Sequence, residues 1–344
     1  MTDTAAHPSH KGFASPEWLL KLVLLLGSLT VAIVISEVVV RIFFPIYGGV
    51  DNLSLTGEPV REVFRPGSVY RQYSNEYDAI TTITSKGHRV PGVDGNPDVI
   101  FLGDSFTYGF GLADDQTFAS IYCTRRQLAC ANLGMPGSGT LKQMRRLKQF
   151  VNDFHWKPRE VKLFFFGMSG SFSNGNDFVD NYNFGRRQAA WSSDDEVPEA
   201  APPDTLPGRL IKLQGAMLEH SYLMRHVKYN WGPLLKGMMV NEPGDVRMAA
   251  ALNYTRLGLQ ELDEFSHQIG FEYRIYLIVP VQDLTRGTYA DTLKALNGVS
   301  RKAAIATAPA LLDSPLRYYY AYDGHLNAAG SQRVAEFLLS QDID

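Results

Sequence analysis

Val99-Ile-Phe-Leu-Gly-Asp-Ser-Phe-Thr-Tyr-Gly109 decides how the rest of the chain is read. Residues 99–102 form a short uninterrupted apolar run, the pattern of a strand buried on both faces. The run ends in Gly103-Asp104-Ser105, and a helical pattern begins near Asp115. The same rhythm continues downstream. Strands are expected at 130–133, 161–166 and 273–279, and helices at 115–127, 140–154, 246–268 and 289–306. Strands alternating with helices imply an α/β fold, with a mostly parallel sheet and helices on both faces. Ligands of such sheets sit at the carboxyl ends of the strands. Ser105, Gly137 and Asn176 all follow predicted strands there.

A serine between strand and helix suits nucleophilic catalysis, because helix N–H groups and dipole face the charge that develops. The surroundings are not a Gly-x-Ser-x-Gly elbow, since Thr107 occupies the second glycine position. An acyl-transfer serine needs a base and a group to orient it. Tyr322-Asp323-Gly324-His325-Leu326-Asn327 offers both, just before a last helix at 331–340. Taken alone, His325 reads as a surface-loop histidine and Gly103-Asp104-Ser105 as a turn.

Gly103-Asp104-Ser105 resembles block I of the SGNH (GDSL-type) hydrolases, and the terminal Asp and His are similar to the family's last block. The resemblance implies a three-layer flavodoxin-like sheet, Ser105 as nucleophile, His325 as base and Asp323 as orienter. The usual family spacing is Asp-x-x-His. Here Tyr322 holds that position and the pair is Asp323-x-His325, a form that membrane-tethered members also show. Asp313 is the alternative orienter. Asn132-Leu-Gly-Met-Pro-Gly137 resembles block II and implies that the Gly137 N–H serves the oxyanion. Block III is expected directly after strand 161–166. Instead Gly167–Asn174 intervenes before Gly175-Asn176-Asp177, so the oxyanion amide falls to Asn176, with Asn174 as the other choice. Each segment has a bland alternative as a polar turn.

The 344 residues are 45% hydrophobic and 20% charged, with a net charge of −3, which suits a folded protein with no nucleic-acid character. Residues 1–17 read as a flexible tail. Residues 18–46 are apolar except for Lys21, Glu37 and Arg41. The uncharged core at 22–36 is shorter than the roughly 20 residues that span a bilayer, but apolar flanks extend it. Lys21 and Arg41 can reach the two interfaces, and Glu37 must lie near the far interface or face a partner. No Ala-x-Ala-like site follows, so the segment reads as a transmembrane signal anchor in the lipid bilayer. The expected location is the inner (plasma) membrane, N-terminus cytoplasmic and catalytic domain periplasmic. A signal peptide or a buried helix are the rival readings.

Cys123 and Cys130 are either a disulfide or two buried thiols. No Cys/His cluster has metal-ligand spacing, and no metal or cofactor is expected. Residues 47–95 form a turn-rich lead-in with an edge strand at 81–85 and loop from 87 to 97. Residues 96–344 form the hydrolase domain, with an insertion at 178–244 that is partly loop, partly helical. The charges of helix 140–154 (Lys142, Arg145, Arg146, Lys148) suggest a solvated face. Tyr318-Tyr319-Tyr320 is core packing or a wall for a sugar ring. The expected function is a membrane-anchored serine esterase for small acyl groups, foremost O-acetyl, on an acylated glycan or small ester. An O-acyltransferase and a non-catalytic glycan-binding module are the alternatives.

Overall fold

The structure is a computed structural model. It describes residues 17–44, 66–74, 76–92, 95–168, 176–191, 221–227 and 244–342, with single positions 206, 209, 213, 217 and 220. The expected tail therefore lies almost wholly outside the described residues, as do Asn174 and much of the insertion.

Helix α1 spans Glu17–Phe43. Among the described residues it is the one helix long and apolar enough to cross a membrane, with mean hydropathy 2.5 and none of that stretch buried. Strands β1 (Val69–Tyr73) and β2 (Asp78–Thr82) pair antiparallel as a separate hairpin. β3 (Arg89–Gly92) then joins the main sheet, followed by β4 (Val99–Gly103) and the one-turn α2 (Ser105–Tyr108). Then come α3 (Phe118–Arg126), β5 (Cys130–Asn132), α4 (Thr140–Phe154), β6 (Glu160–Phe166) and α5 (Asp177–Trp191). A short α6 (Tyr222–His226) and the long α7 (Gly244–Ile269) lead to β7 (Glu272–Ile278). The chain ends with α8 (Val281–Arg286), α9 (Tyr289–Asn297), β8 (Ile305–Ala306) and α10 (Ala328–Gln341).

The six-stranded sheet has the order β3-β5-β4-β6-β7-β8. All pairs are parallel except β3 with β5. Without β3, the parallel strands follow the flavodoxin-like order, reversing beside β4. Strand β4 is buried at every residue, as its unbroken apolar run requires. On one face α3 packs with α10, and α4, α5 and α7 pack together. Right-handed crossovers put the second group on the opposite face. Phe101, Phe164 and Tyr276 stack across three strands, with centroids 5.9 and 5.0 Å apart.

Several sequence expectations are corrected. The loop expected at 87–97 contains edge strand β3, where Pro91 is tolerated because an edge residue need not donate to a ladder. The helix expected at 289–306 stops at Asn297, whose side-chain oxygen accepts from Ala304 N at 2.7 Å and turns the chain into β8. Arg146 does not lie on a solvated face. It is buried against the Phe150 ring and donates to Gly87 O at 3.0 Å. The cysteines form a disulfide, Cys123–Cys130, with Cα atoms 6.2 Å apart.

Glu37, the carboxylate in the apolar helix, faces a partner within the chain. It accepts from Ser221 Oγ at 2.8 Å and from the N–H groups of Tyr222 and Leu223 at 2.9 and 3.0 Å. Arg41 adds a bond to His220 O at 2.8 Å.

Candidate active site

Ser105 is the first residue of α2, at the carboxyl end of central strand β4. Asp104 caps this turn by accepting from Phe106 N at 2.9 Å. The N–H of a first helical residue has no partner inside the helix, so the Ser105 amide is suited to an external acceptor. Gly109 closes the turn in the left-handed region at φ 83°.

The C-terminal loop meets the serine across 220 residues of chain. Ser105 Oγ lies 2.8 Å from His325 Nε2. His325 Nδ1 lies 2.5 Å from Asp323 Oδ1. A carboxylate only accepts, so Nδ1 carries the proton and Nε2 presents a lone pair to the hydroxyl. Burial works against charge on Asp323, but the bonds from His325 and Tyr77 outweigh it and hold the carboxyl below its usual range. The short Asp-x-His spacing is made possible by Gly324 at φ +80°, a conformation that costs other residues strain. Phe106 and Phe110 pack against the imidazole at 4.8 and 5.1 Å.

Asp313, the alternative orienter, is engaged elsewhere: it accepts from Tyr318 at 3.0 Å and pairs with Arg333 at 3.6 Å. Tyr318 and Tyr319 are buried in the core, where the Tyr319 hydroxyl donates to Val279 O at 2.7 Å, while Tyr320 is half-buried and donates to Gly111 O at 2.9 Å.

Gly137, on the loop after β5, and Asn176, at the start of α5, lie at the same end of the sheet. Asn132 welds the Gly137 loop to the serine turn. Its amide donates to Thr107 O at 2.9 Å, and its oxygen accepts from Gly134 N at 2.9 Å. Met135 N adds a bond to Gly103 O at 2.9 Å. Gly137 stands exposed on this loop at φ +66°. Asn176 is buried and caps α5, its oxygen accepting from Val179 N at 3.2 Å. Gln143 ties the Gly137 loop to the start of α5 through Ser138 O at 2.7 Å and Asp177 Oδ2 at 3.3 Å.

No family model matches the chain, and no curated protein matches it. Solved structures similar to it include a lipolytic protein of the G-D-S-L family from Desulfitobacterium hafniense DCB-2, with 13% identity and a TM-score of 0.38 over 70% of this chain and 96% of that one. The psychrotrophic esterase EstA from Pseudoalteromonas sp. gives 11%, 0.38, 70% and 94%. A catalytic mutant of Axe2, an acetylxylan esterase from Geobacillus stearothermophilus, gives 14%, 0.36, 72% and 95%. At such identities and TM-scores, residue roles rest on this chain's own geometry.

One part of the site carries no sequence motif, and a second lies unread within two of the motifs. Glu76 and Tyr77, at the end of the β1–β2 hairpin, reach the Asp323 loop from 246 residues away. Behind the serine lies a group of buried carboxyls. Burial, with Asp180 nearby, pushes Asp104 up to about 7, against the bond from Phe106 N and the attraction of His325. Burial, Asp104 and Asp180 push Asp177 well above the carboxylate range. Like charges so placed do not all ionise at neutral pH.

Proposed function

We propose that this chain is a membrane-anchored serine esterase that removes small acyl groups, foremost O-acetyl, from a glycan or small ester outside the cytoplasm. The observation that carries the chemistry is the continuous chain Asp323–His325–Ser105, with Nε2 within 2.8 Å of Oγ. Ser105 Oγ attacks the ester carbonyl as its proton passes to His325 Nε2. The Oγ–C bond forms and the carbonyl π pair moves to oxygen. The N–H groups of Ser105 and Gly137 and the Asn176 amide receive that oxyanion. Collapse breaks the bond to the leaving oxygen, which takes the proton from Nε2 and departs as the alcohol. Water repeats the steps on the acyl-enzyme and releases the acid. Asp323 stays ionised throughout and holds the imidazole in one tautomer.

The extracytoplasmic setting is supported by the Cys123–Cys130 disulfide, a bond of oxidising compartments, beside an apolar α1. The glycan target and the acetyl group follow from the SGNH resemblance. A fluorophosphonate probe tests the chemistry: it is expected to label wild-type chain on Ser105 and to leave Ser105→Ala unlabelled. Absence of labelling in folded wild-type protein would overturn the esterase reading. Mass spectrometry of surface glycans with and without the gene tests the substrate; identical acylation rejects the glycan.

A further inference from the structure

The triad carboxylate has two oxygens, and the α/β core accounts for only one. Asp323 Oδ1 is held by His325, through Nδ1 at 2.5 Å and the backbone N–H at 3.3 Å. Asp323 Oδ2 instead accepts from the Tyr77 hydroxyl at 3.1 Å. The backbone of the same loop is held by the neighbouring residue. Glu76 accepts from Tyr322 N at 3.1 Å and from Asp323 N at 2.7 Å.

Tyr77 is itself fixed. Its ring packs edge-on to Phe110 at 6.1 Å and against Tyr320 at 5.0 Å. Those two rings lead back to the reacting groups, since Phe110 touches the imidazole and Tyr320 bonds to Gly111. The hairpin is also tied from β1, where Gln72 accepts from Gly111 N at 2.6 Å. The phenol therefore sits in a frame that includes both the serine turn and the histidine loop.

We propose that Tyr77 is a positioning residue for the triad, locking the second oxygen of Asp323 while Glu76 clamps the loop backbone. This rests on the esterase reading. The hairpin thus completes a short Asp-x-His loop that would otherwise leave the carboxylate free to rotate away from Nδ1. The charged or titratable groups facing Asp323 are His325, Tyr77, Tyr320 and, through the loop, Glu76. Burial and Asp323 both push the Tyr77 phenol upward, so it remains a donor across the working pH range.

The test uses the full chain in detergent. Fluorophosphonate labelling of wild type at Ser105 first establishes the esterase reading by itself. Tyr77→Phe keeps the ring contacts and removes only the hydroxyl. It is expected to lower kcat about tenfold, the scale of one hydrogen bond to a charged group, with KM and Tm near wild type. The acid limb of the rate profile should move to higher pH. A carboxylate that has lost a donor is more basic and holds the imidazolium more tightly. Glu76→Gln keeps one carbonyl acceptor and should retain more activity than Glu76→Ala. Tyr77→Phe with wild-type kcat and an unmoved acid limb overturns the proposal. So does a rate loss that tracks a fall in Tm with the acid limb unmoved. If wild type neither labels nor hydrolyses, the far-downfield Nδ1 proton resonance of His325 reads the same bond without substrate. Tyr77→Phe should shift it, and an unshifted resonance overturns the proposal independently of activity.

Discussion

Replacing Asn132 tests whether the oxyanion loop is welded to the serine turn by one buried amide. Asn132 is fully buried and bridges Thr107 O and Gly134 N at 2.9 Å each. Asn132→Leu is close in shape but removes both bonds, leaving a buried carbonyl and a buried N–H without that partner. Each orphaned group costs about 1–3 kcal/mol, so a loss of about 2–6 kcal/mol is expected for the two. That corresponds to a fall in Tm of roughly 4–24 °C for a domain of this size. Turnover of an aryl acetate should fall at least about tenfold, since two proposed oxyanion donors lose their fixed spacing. Asn132→Asp separates geometry from folding. Its protonated carboxyl can donate to Thr107 O and accept from Gly134 N. Its ionised form faces a carbonyl oxygen. The folded-state pKa of the new carboxyl is therefore raised. Its favourable contribution is full below the unfolded carboxylate pKa and is lost as pH rises through the folded one. Thermal melts of both variants across pH 4 to 8 check this. An Asn132→Leu melt within about 2 °C of wild type, or an Asn132→Asp deficit that does not grow with pH, would refute the reasoning.

Ser105→Ala and His325→Ala should each lower kcat by several orders of magnitude, and the double variant should be little worse, because the groups act as one unit. Asp323→Asn should be milder but still large, while Asp313→Asn stays near wild type; steady-state rates decide, and the reverse order would mark Asp313 as the orienter. Asp104 has a raised folded pKa, so its contribution to stability is full below about pH 4 and is lost as pH rises through about 7. Asp104→Asn keeps an acceptor for Phe106 N, so its Tm relative to wild type should rise between pH 4 and 8; a constant difference would count against this. Glu37→Ala removes the acceptor shared by Ser221, Tyr222 and Leu223. Limited proteolysis should then cut within residues 206–227 faster, and unchanged cleavage would show that the contact does not hold α6.

The strands that could be read from sequence are those whose residues are buried on both faces. β4 and β6 are apolar runs apart from Glu160 and Lys162, and that lysine is buried in an ion cluster with Glu160 at 2.9 Å and Asp342 at 3.2 Å. β3 escaped because Arg89-Val-Pro-Gly has no apolar period. Its hold comes from the buried Arg89 guanidinium, which donates to Tyr108 O and Gly109 O at 2.5 Å and so steadies the turn after the serine. Ser105, Asp323 and His325 were legible because their motifs are local and follow one another in a known order. Tyr77 and Glu76 were not. A single hydroxyl and a single carboxylate on a hairpin have no local signature, and only the folded path brings them to the loop. Asn176 is the intermediate case: its motif is present, while residues 169–175 between it and β6 lie outside the described residues.

The missing elbow glycine also has a physical account. A strand that turns abruptly into a helix brings the residues before and after the nucleophile together, and two glycines at those positions relieve the crowding. Here only the first is small. A Cβ on Gly103 would lie 2.1 Å from Thr107 Oγ1 and 2.7 Å from Phe164 O. Thr107 is fully buried, and its side chain fills the space that the bare Gly103 leaves beside β6. The two positions therefore act as one unit of volume, with all the smallness assigned to the strand side. This asymmetry matters for Asn132, which bonds to the Thr107 carbonyl: a threonine packed on the strand presents that carbonyl at a fixed place. The same substitution that removes the elbow pattern from view thus supplies the rigid acceptor on which the second loop is hung.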